Sequence, residues 1–276
     1  MPRPKPLSQM KAAPWIRVEL WGIPKSTKSS WALTAPPPID FFAWDQGYEL
    51  LIHDLDRLTA DGTINLAEPS WEKRKDQIYP YVYPSGVWGE ISRAAALKEL
   101  QDNMQKFAED FQDAVKAGKD GCGGSIVVDG GTQLHQYWNF RVDAEMEEWR
   151  AQRIFGSPWS KRNKFFKAML DLAKGCNRHL ILIHHDQDVW KEGAPTGDKE
   201  AAGDRLVERE VDLIMQTTKK QIPLRDANNK VILSGGKPKL AVELGFKIEE
   251  CRPNSSCRNL ELPWMPFDDI YSLAMD

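Results

Sequence analysis

The sequence has no long apolar run, no paired-cysteine spacing and no strong charge of either sign. Without a stretch of about 18 consecutive apolar residues, no membrane-spanning helix is expected. The cysteines are four, Cys122, Cys176, Cys251 and Cys257, and the nearest two lie six residues apart, so no C-x-x-C metal pair exists. Reduced thiols in a cytoplasmic protein are the expectation. A formal net charge of −3 supplies no general attraction for nucleic acid, so any such binding would need a local basic patch. Residues 1–14 are basic and Pro-rich and lack the apolar core of a signal peptide; they are expected to form a flexible arm.

Ordinary globular composition is present instead, with 41% hydrophobic and 28% charged residues. The chain is organised around its first apolar segment. Ile16, Val18 and Leu20 alternate as in a strand. They lead into Gly22-Ile23-Pro24-Lys25-Ser26-Thr27-Lys28-Ser29-Ser30. Strand, loop and Lys-Ser at a helix start is the layout of the phosphate-binding loop G-x-x-x-x-G-K-[ST]. In that loop backbone N–H groups cradle phosphates, the lysine reaches the outer ones and the hydroxyl binds Mg²⁺. Gly22, Lys28 and Ser29 stand at the consensus places, and Thr27 stands where the second glycine belongs.

Further along, residues 29–34 read as a short helix stopped by Pro36-Pro37-Pro38, and residues 39–44 as a buried strand closed by Asp45-Gln46-Gly47. Residues 48–90 read as polar turns and aromatic pieces, with a strand at 79–84 whose prolines keep it at a sheet edge. Apolar residues at three- and four-residue steps predict a helix over 91–117, and helices interrupted near 156–158 fill 132–174. Continuous apolar runs at 125–129 and 180–185 predict fully buried strands. Residues 191–204 have little apolar content and read as a mobile loop, residues 211–215 as a strand, and 231–248 as paired strands around Gly235-Gly236. The expected fold is α/β with a mostly parallel central sheet and a β-rich C-terminal part. The expected partition is a core over 15–218 and an extension of the same domain over 219–276.

A phosphate loop needs an acid to hold Mg²⁺, commonly at the end of a neighbouring buried strand. Ile126-Val127-Val128-Asp129 supplies one at the sheet edge where ligands of open α/β sheets bind. Zinc is disfavoured, because His184, His185 and Asp186 are contiguous and no second ligand pair has helical spacing.

From Gly22 to Pro36 the chain resembles the opening of phage and prophage AAA-type, RecA-like P-loop ATPases, some of which act in single-strand annealing and recombination. The resemblance spans residues 15–215 and does not reach the C-terminal part. It implies a RecA-like P-loop NTPase core that binds ATP and Mg²⁺ through residues 22–30, with Ser29 and Asp129 on the metal and Lys28 on the phosphates. It places Asp45 where the family carries the carboxylate that orients water, usually Glu, and His185 where it carries a γ-phosphate sensor. It also implies a ring or filament of identical chains acting on single-stranded DNA in the cytoplasm (the host's, if phage-encoded), with no membrane partner. Because Thr27 and Asp45 depart from the family pattern, a nucleotide-responsive binding module without turnover is the alternative expectation. A small-molecule kinase has no acceptor-pocket signature to support it.

Three segments are candidates for DNA contact. Residues 161–167 (Lys-Arg-Asn-Lys-Phe-Phe-Lys) mix cations with aromatics, although an amphipathic helix with Phe165, Phe166, Met169 and Leu170 buried and the cations solvated fits them better. Lys219, Lys220, Arg225, Lys230, Lys237, Lys239, Lys247, Arg252 and Arg258 make the C-terminal part locally basic. Residues 191–204 qualify by position alone.

Overall fold

The computed structural model describes residues 15–44, 48–60, 70–83, 92–152, 158–225, 229–235 and 237–276. The proposed arm (1–14) and Asp45 lie outside the described residues. In chain order the elements are β1 (Arg17–Gly22), α1 (Lys28–Ala32), β2 (Ile39–Ala43), α2 (Tyr48–Ala60), α3 (Trp71–Lys75), β3 (Ile78–Val82), α4 (Arg93–Lys119), β4 (Ser125–Asp129), α5 (Gly131–Gln152) and α6 (Pro158–Ala173). They continue as β5 (His179–Lys191), β6 (Ala194–Ala201), α7 (Arg205–Glu210), β7 (Leu213–Pro223), β8 (Leu233–Ser234), β9 (Lys237–Pro238), β10 (Leu240–Cys251), β11 (Glu261–Pro263) and α8 (Phe267–Met275).

One sheet of nine strands runs β11-β10-β7-β1-β5-β4-β2-β3, with β6 paired to β5. All pairings from β7 through β1, β5, β4 and β2 to β3 are parallel, whereas β10, β11 and β6 pair antiparallel. The continuous apolar runs arise because both faces are covered. Ile126, Val128, Leu180 and Leu182 pack with Phe107, Phe111, Leu134, Trp138 and Phe166 of α4, α5 and α6. Val127, Ile181 and Ile183 pack on the other face with Trp31, Leu55, Phe267 and Ile270 of α1, α2 and α8. β3 is an edge strand and tolerates Pro80, which has no N–H to give to a ladder.

Three expectations are corrected. Residues 191–204 are mostly not a loop: β5 continues to Lys191 and returns as β6, with Lys191 opposite Ala194. Glu192 and Gly193 between them both have positive φ (52° and 83°), the pattern of a two-residue I′ hairpin turn. The region 48–90, read as turns, contains α2, whose Leu51, Ile52 and Leu55 face the core. The C-terminal part also ends in a helix, α8, buried through Phe267, Ile270 and Ala274.

Two ribbons rise from the C-terminal edge of the parallel strands, one on each side of β1. The first is the β5–β6 hairpin. The second is made by the outer halves of β7 and β10, paired from Lys219 opposite Leu244 to Pro223 opposite Leu240, and tipped by the β8–β9 turn.

Candidate phosphate-binding site

β1 ends on Gly22, whose φ is 146°. A Cβ there would lie 2.2 Å from Oγ1 of Thr217, so only glycine permits the close approach of β7. The chain then turns through Ile23, Pro24 and Lys25, all exposed, to the buried Ser26. Lys25 (φ 58°) and Thr27 (φ 65°) are left-handed with Ser26 between them. Left-handed residues interleaved in this way turn successive N–H groups toward one concavity, the geometry that receives anions. The φ of Thr27 also explains why glycine is the consensus residue at its position: a β-branched residue held there carries strain of about 1–3 kcal/mol.

Hydrogen bonds close the loop from within. The hydroxyl of Ser26 donates to the carbonyl of Ile23 at 2.7 Å, and its oxygen lies 2.6 Å from Thr217 Oγ1. Either hydroxyl can be the donor of the shorter contact. Thr217 Oγ1 also sits 3.3 Å from the Trp21 carbonyl. Lys28, 6% exposed, turns its Nζ into the loop and donates to the carbonyls of Gly22 (2.8 Å) and Ile23 (2.7 Å), with Ser26 Oγ at 3.5 Å. Ser29 is half-buried in the first turn of α1, and Ser30 is buried behind it.

The sheet register brings other candidates to the same edge. Gly22 is opposite His185 on β5, and Asp129 is opposite Ile183 on β5 and Ala43 on β2. One strand therefore separates Asp129 from β1, a lateral offset of about 10 Å. Asp129 is half-buried and is followed by Gly130 and the start of α5. Thr132 accepts from the His185 N–H at 2.8 Å, and Gln133 Nε2 lies 3.4 Å from His185 Nε2.

His184 points to the other face. It is buried with Nδ1 2.9 Å from Oε1 of the buried Glu19. Gly131 and Gly203 crowd its ring so closely that a Cβ on either would come within 3 Å of it. On that face burial raises the carboxyls of Glu208 and Glu249 above the ordinary range. Only one of the two histidines thus lies at the loop edge.

A polyphosphate suits this arrangement: a concave run of backbone, a buried ammonium at its mouth and a hydroxyl on the next residue. Ser29 and Asp129 carry hard oxygen atoms, the donor type that Mg²⁺ takes alongside substrate phosphates. Among the described residues no cluster of three or more His, Cys, Asp or Glu side chains forms a metal cage, and Mg²⁺ bound with phosphates requires none.

The candidate DNA segments fare differently. In residues 161–167, Phe166 is buried and Phe165 packs against the core. Arg162 is drawn inward to Asn139, His135 and Asp204. Lys161 pairs with Glu145 and Lys167 with Asp171. That run is an amphipathic helix. The hairpin over 186–201 carries five acids (Asp186, Asp188, Glu192, Asp198, Glu200) against Lys191 and Lys199, which disfavours phosphate contact. The β7–β10 ribbon is the opposite: residues 219–244 hold six cations against Asp226 and Glu243. Ile222, Leu233, Leu240 and Val242 are exposed on it.

Thr217 was invisible to sequence reasoning. Its only signal is that it lies two residues past the buried Met215, on the same face of β7.

No family model matches the chain, and no curated protein matches it. Solved structures similar to it include a KaiC-like protein, PH0186, from the hyperthermophilic archaeon Pyrococcus horikoshii OT3 (12% identity, 90% of this chain and 84% of that one, TM-score 0.41). The RadB recombinase is another (12% identity, 90% and 86%, TM-score 0.43). The fold is α/β with a mostly parallel central sheet. Likeness of this degree carries nothing about activity.

Proposed function

We propose that this chain is an ATP-binding, Mg²⁺-dependent P-loop ATPase that acts on single-stranded DNA, in phage-type recombination, annealing or replication. The observation that carries the reading is the loop from Gly22 to Ser29, with two left-handed residues and a buried Lys28 ammonium at its mouth. Its position supports the reading too, on the edge shared with His185 and Asp129. Residues 15–218 would form the nucleotide-binding core, and residues 219–276 an extension that shares its sheet. Following the family resemblance, copies of the chain would assemble as a ring or filament in the cytoplasm. Among the described residues no helix is long and apolar enough to cross a membrane.

When bound, Mg²⁺–ATP supplies an activated phosphoanhydride and a divalent charge that polarises it. The chain's own residues position and neutralise. Lys28 would turn its ammonium from the Gly22 and Ile23 carbonyls to the outer phosphates, and the loop N–H groups would hold the inner ones. Ser29 and Asp129 would orient the metal, and Asp45 would orient the attacking water. His185, anchored through its backbone by Thr132, would donate to a terminal phosphate. The basic ribbon over 219–244 would meet the DNA.

A second reading, nucleotide binding without turnover, is favoured by the strained Thr27 in the glycine position. The deciding experiment measures ATP binding and phosphate release by wild type and Lys28→Ala, with and without single-stranded DNA. Binding lost in the variant, with DNA-stimulated release in wild type, is expected. No ATP binding by the wild type would overturn the nucleotide reading; binding without release would leave the second one.

A further inference from the structure

Thr217 stands where the phosphate loop and the basic ribbon meet. It is the last buried residue of β7, and from Lys219 outward the strand is exposed. Its hydroxyl belongs to a hydrogen-bonded chain: Thr217 Oγ1 bonds Ser26 Oγ at 2.6 Å, Ser26 Oγ bonds the Ile23 carbonyl, and the same carbonyl accepts from Lys28. Its backbone is packed against Gly22 on one side. On the other side, the adjoining Thr218 is opposite Gly245 of β10, where a Cβ would come within 2.4 Å of the Leu262 carbonyl. Glycines therefore flank the root of the ribbon, Gly22 beside Thr217 and Gly245 opposite Thr218.

We infer that Thr217 is a positioning residue that couples occupancy of the phosphate loop to the DNA-binding state of the β7–β10 ribbon; this rests on the reading above. The Ile23 carbonyl now receives both Ser26 and Lys28. When the Lys28 ammonium turns outward to phosphates, that carbonyl keeps Ser26 alone, and the Ser26 hydroxyl and its bond to Thr217 re-aim with it. Because β7 leaves Thr217 as a continuous paired strand, a small shift at its root reaches Lys219 and Lys220 two and three residues on, roughly 7–10 Å away at strand rise. Side chains alternate along a strand, so Lys219 shares the face of Thr217 and of the loop. Lys220 takes the other face and pairs with Glu261 of β11.

The test uses Thr217→Val, which keeps the shape and removes the hydroxyl, and Thr217→Ser, which keeps the hydroxyl. Affinity for a labelled oligo-dT strand is measured with and without Mg²⁺ and a non-hydrolysable ATP analogue, beside the affinity for the analogue itself. Wild type should change its DNA affinity by about fivefold or more on nucleotide binding, Thr217→Val by less than about twofold, and Thr217→Ser like wild type, in the range of ordinary couplings. Nucleotide-free DNA affinity should stay the same in all three, and the analogue is held at a saturating concentration for each protein. Hydrogen exchange on the wild type provides a readout independent of any variant's folding: protection of residues 217–224 should change when nucleotide binds.

Equal nucleotide dependence in Thr217→Val and wild type overturns the inference, as does unchanged protection of 217–224. A wild type that binds the analogue but shows no effect on DNA overturns it while leaving nucleotide binding intact. A wild type that does not bind the analogue overturns both.

Discussion

The backbone N–H of Ile16 donates to Nδ1 of His179 across 3.2 Å, tying the entry of β1 to the start of β5. The bond requires an unprotonated Nδ1, and burial holds the His179 pKa down at about 4. His135 is alike in needing a neutral ring, since its Nε2 faces an Arg162 N–H at 3.1 Å; burial, then the Arg162 charge, lowers it to about 4. In the unfolded chain both titrate near 6.5. Above that pH neither binds a proton in either state, so their contribution is constant. Between pH 6.5 and 4 the unfolded chain takes up protons that the folded one refuses, so stability falls as pH falls. For the fully buried His179 the loss should approach a few kcal/mol, roughly 3 at most. Urea midpoints measured from pH 8 to 4.5 should decline over this window, and His179→Gln should flatten the decline. A midpoint independent of pH from 7 to 5 would contradict the argument.

Thr27→Gly should stabilise the protein. The substitution removes the strain of a β-branched residue at φ 65° and forfeits the hydroxyl bond to the Ser26 carbonyl at 2.6 Å. Glycine also gains entropy in the unfolded chain, which offsets part of the relief. The net expectation is a gain of about 0.5–1 kcal/mol, with nucleotide affinity no weaker than wild type. Thr27→Val keeps the strain without the bond and should be less stable than wild type. Chemical denaturation of the three proteins ranks them, and Gly below Val would refute the strain account.

What could be read in the sequence follows a physical division. β4 and β5 were legible because both of their faces are buried, so nothing polar interrupts Ile126 to Val128 or Leu180 to Ile183. The loop from Gly22 to Ser29 was legible because its backbone task restricts residue type, and Thr27 marks the place where the restriction is violated at a cost. The hairpin over 186–201 gave no period-two pattern, since most of its outer residues meet solvent on both faces; only Glu192-Gly193 encoded it. The basic run at 161–167 had two readings until packing chose one, with Phe166 in the core and Arg162 turned inward. Thr217 touches Ser26 across 191 residues of chain, and local spacing carries no information about such a contact.

Arg162→Ala should unfold rather than disarm. Its guanidinium bridges α5, α6 and α7, with Nη1 2.8 Å from Asn139 Oδ1 and Nη2 3.2 Å from Asp204 Oδ2. Asp204 is buried and also accepts from the Leu206 N–H at the start of α7. Truncation leaves that carboxylate without its cation, a loss in the class of broken buried pairs, moderated by the partial exposure of Arg162: roughly 2–4 kcal/mol. Asp204→Asn in the same background should recover part of it. Single-stranded DNA affinity per folded molecule should be unaffected, because the side chain faces its own helices. Equilibrium unfolding and DNA titration measure the two effects separately, and a selective loss of DNA binding with normal stability would reverse the assignment.

The ribbon lysines make the complementary prediction. Lys237 and Lys239 flank Pro238 near the ribbon tip, are exposed, and lie among six cations opposed by two acids over residues 219–244. If they meet phosphates, each removed contact should lower the slope of log K against log salt by about 0.7, the single-strand value, and weaken binding without regard to base sequence. Lys237→Ala with Lys239→Ala should therefore flatten the slope by about 1.4 and leave stability within about 0.5 kcal/mol, as exposed substitutions do. Lys164→Ala on α6 should change neither quantity. Charge alone does not account for the whole surface, because Leu240 and Val242 lie on one face of the ribbon and Ile222 on the other, all exposed. These side chains can pack against bases, a contribution that salt does not screen, so residual affinity in high salt should fall in Leu240→Ser. Unchanged salt slopes in the double lysine variant would move DNA off the ribbon altogether.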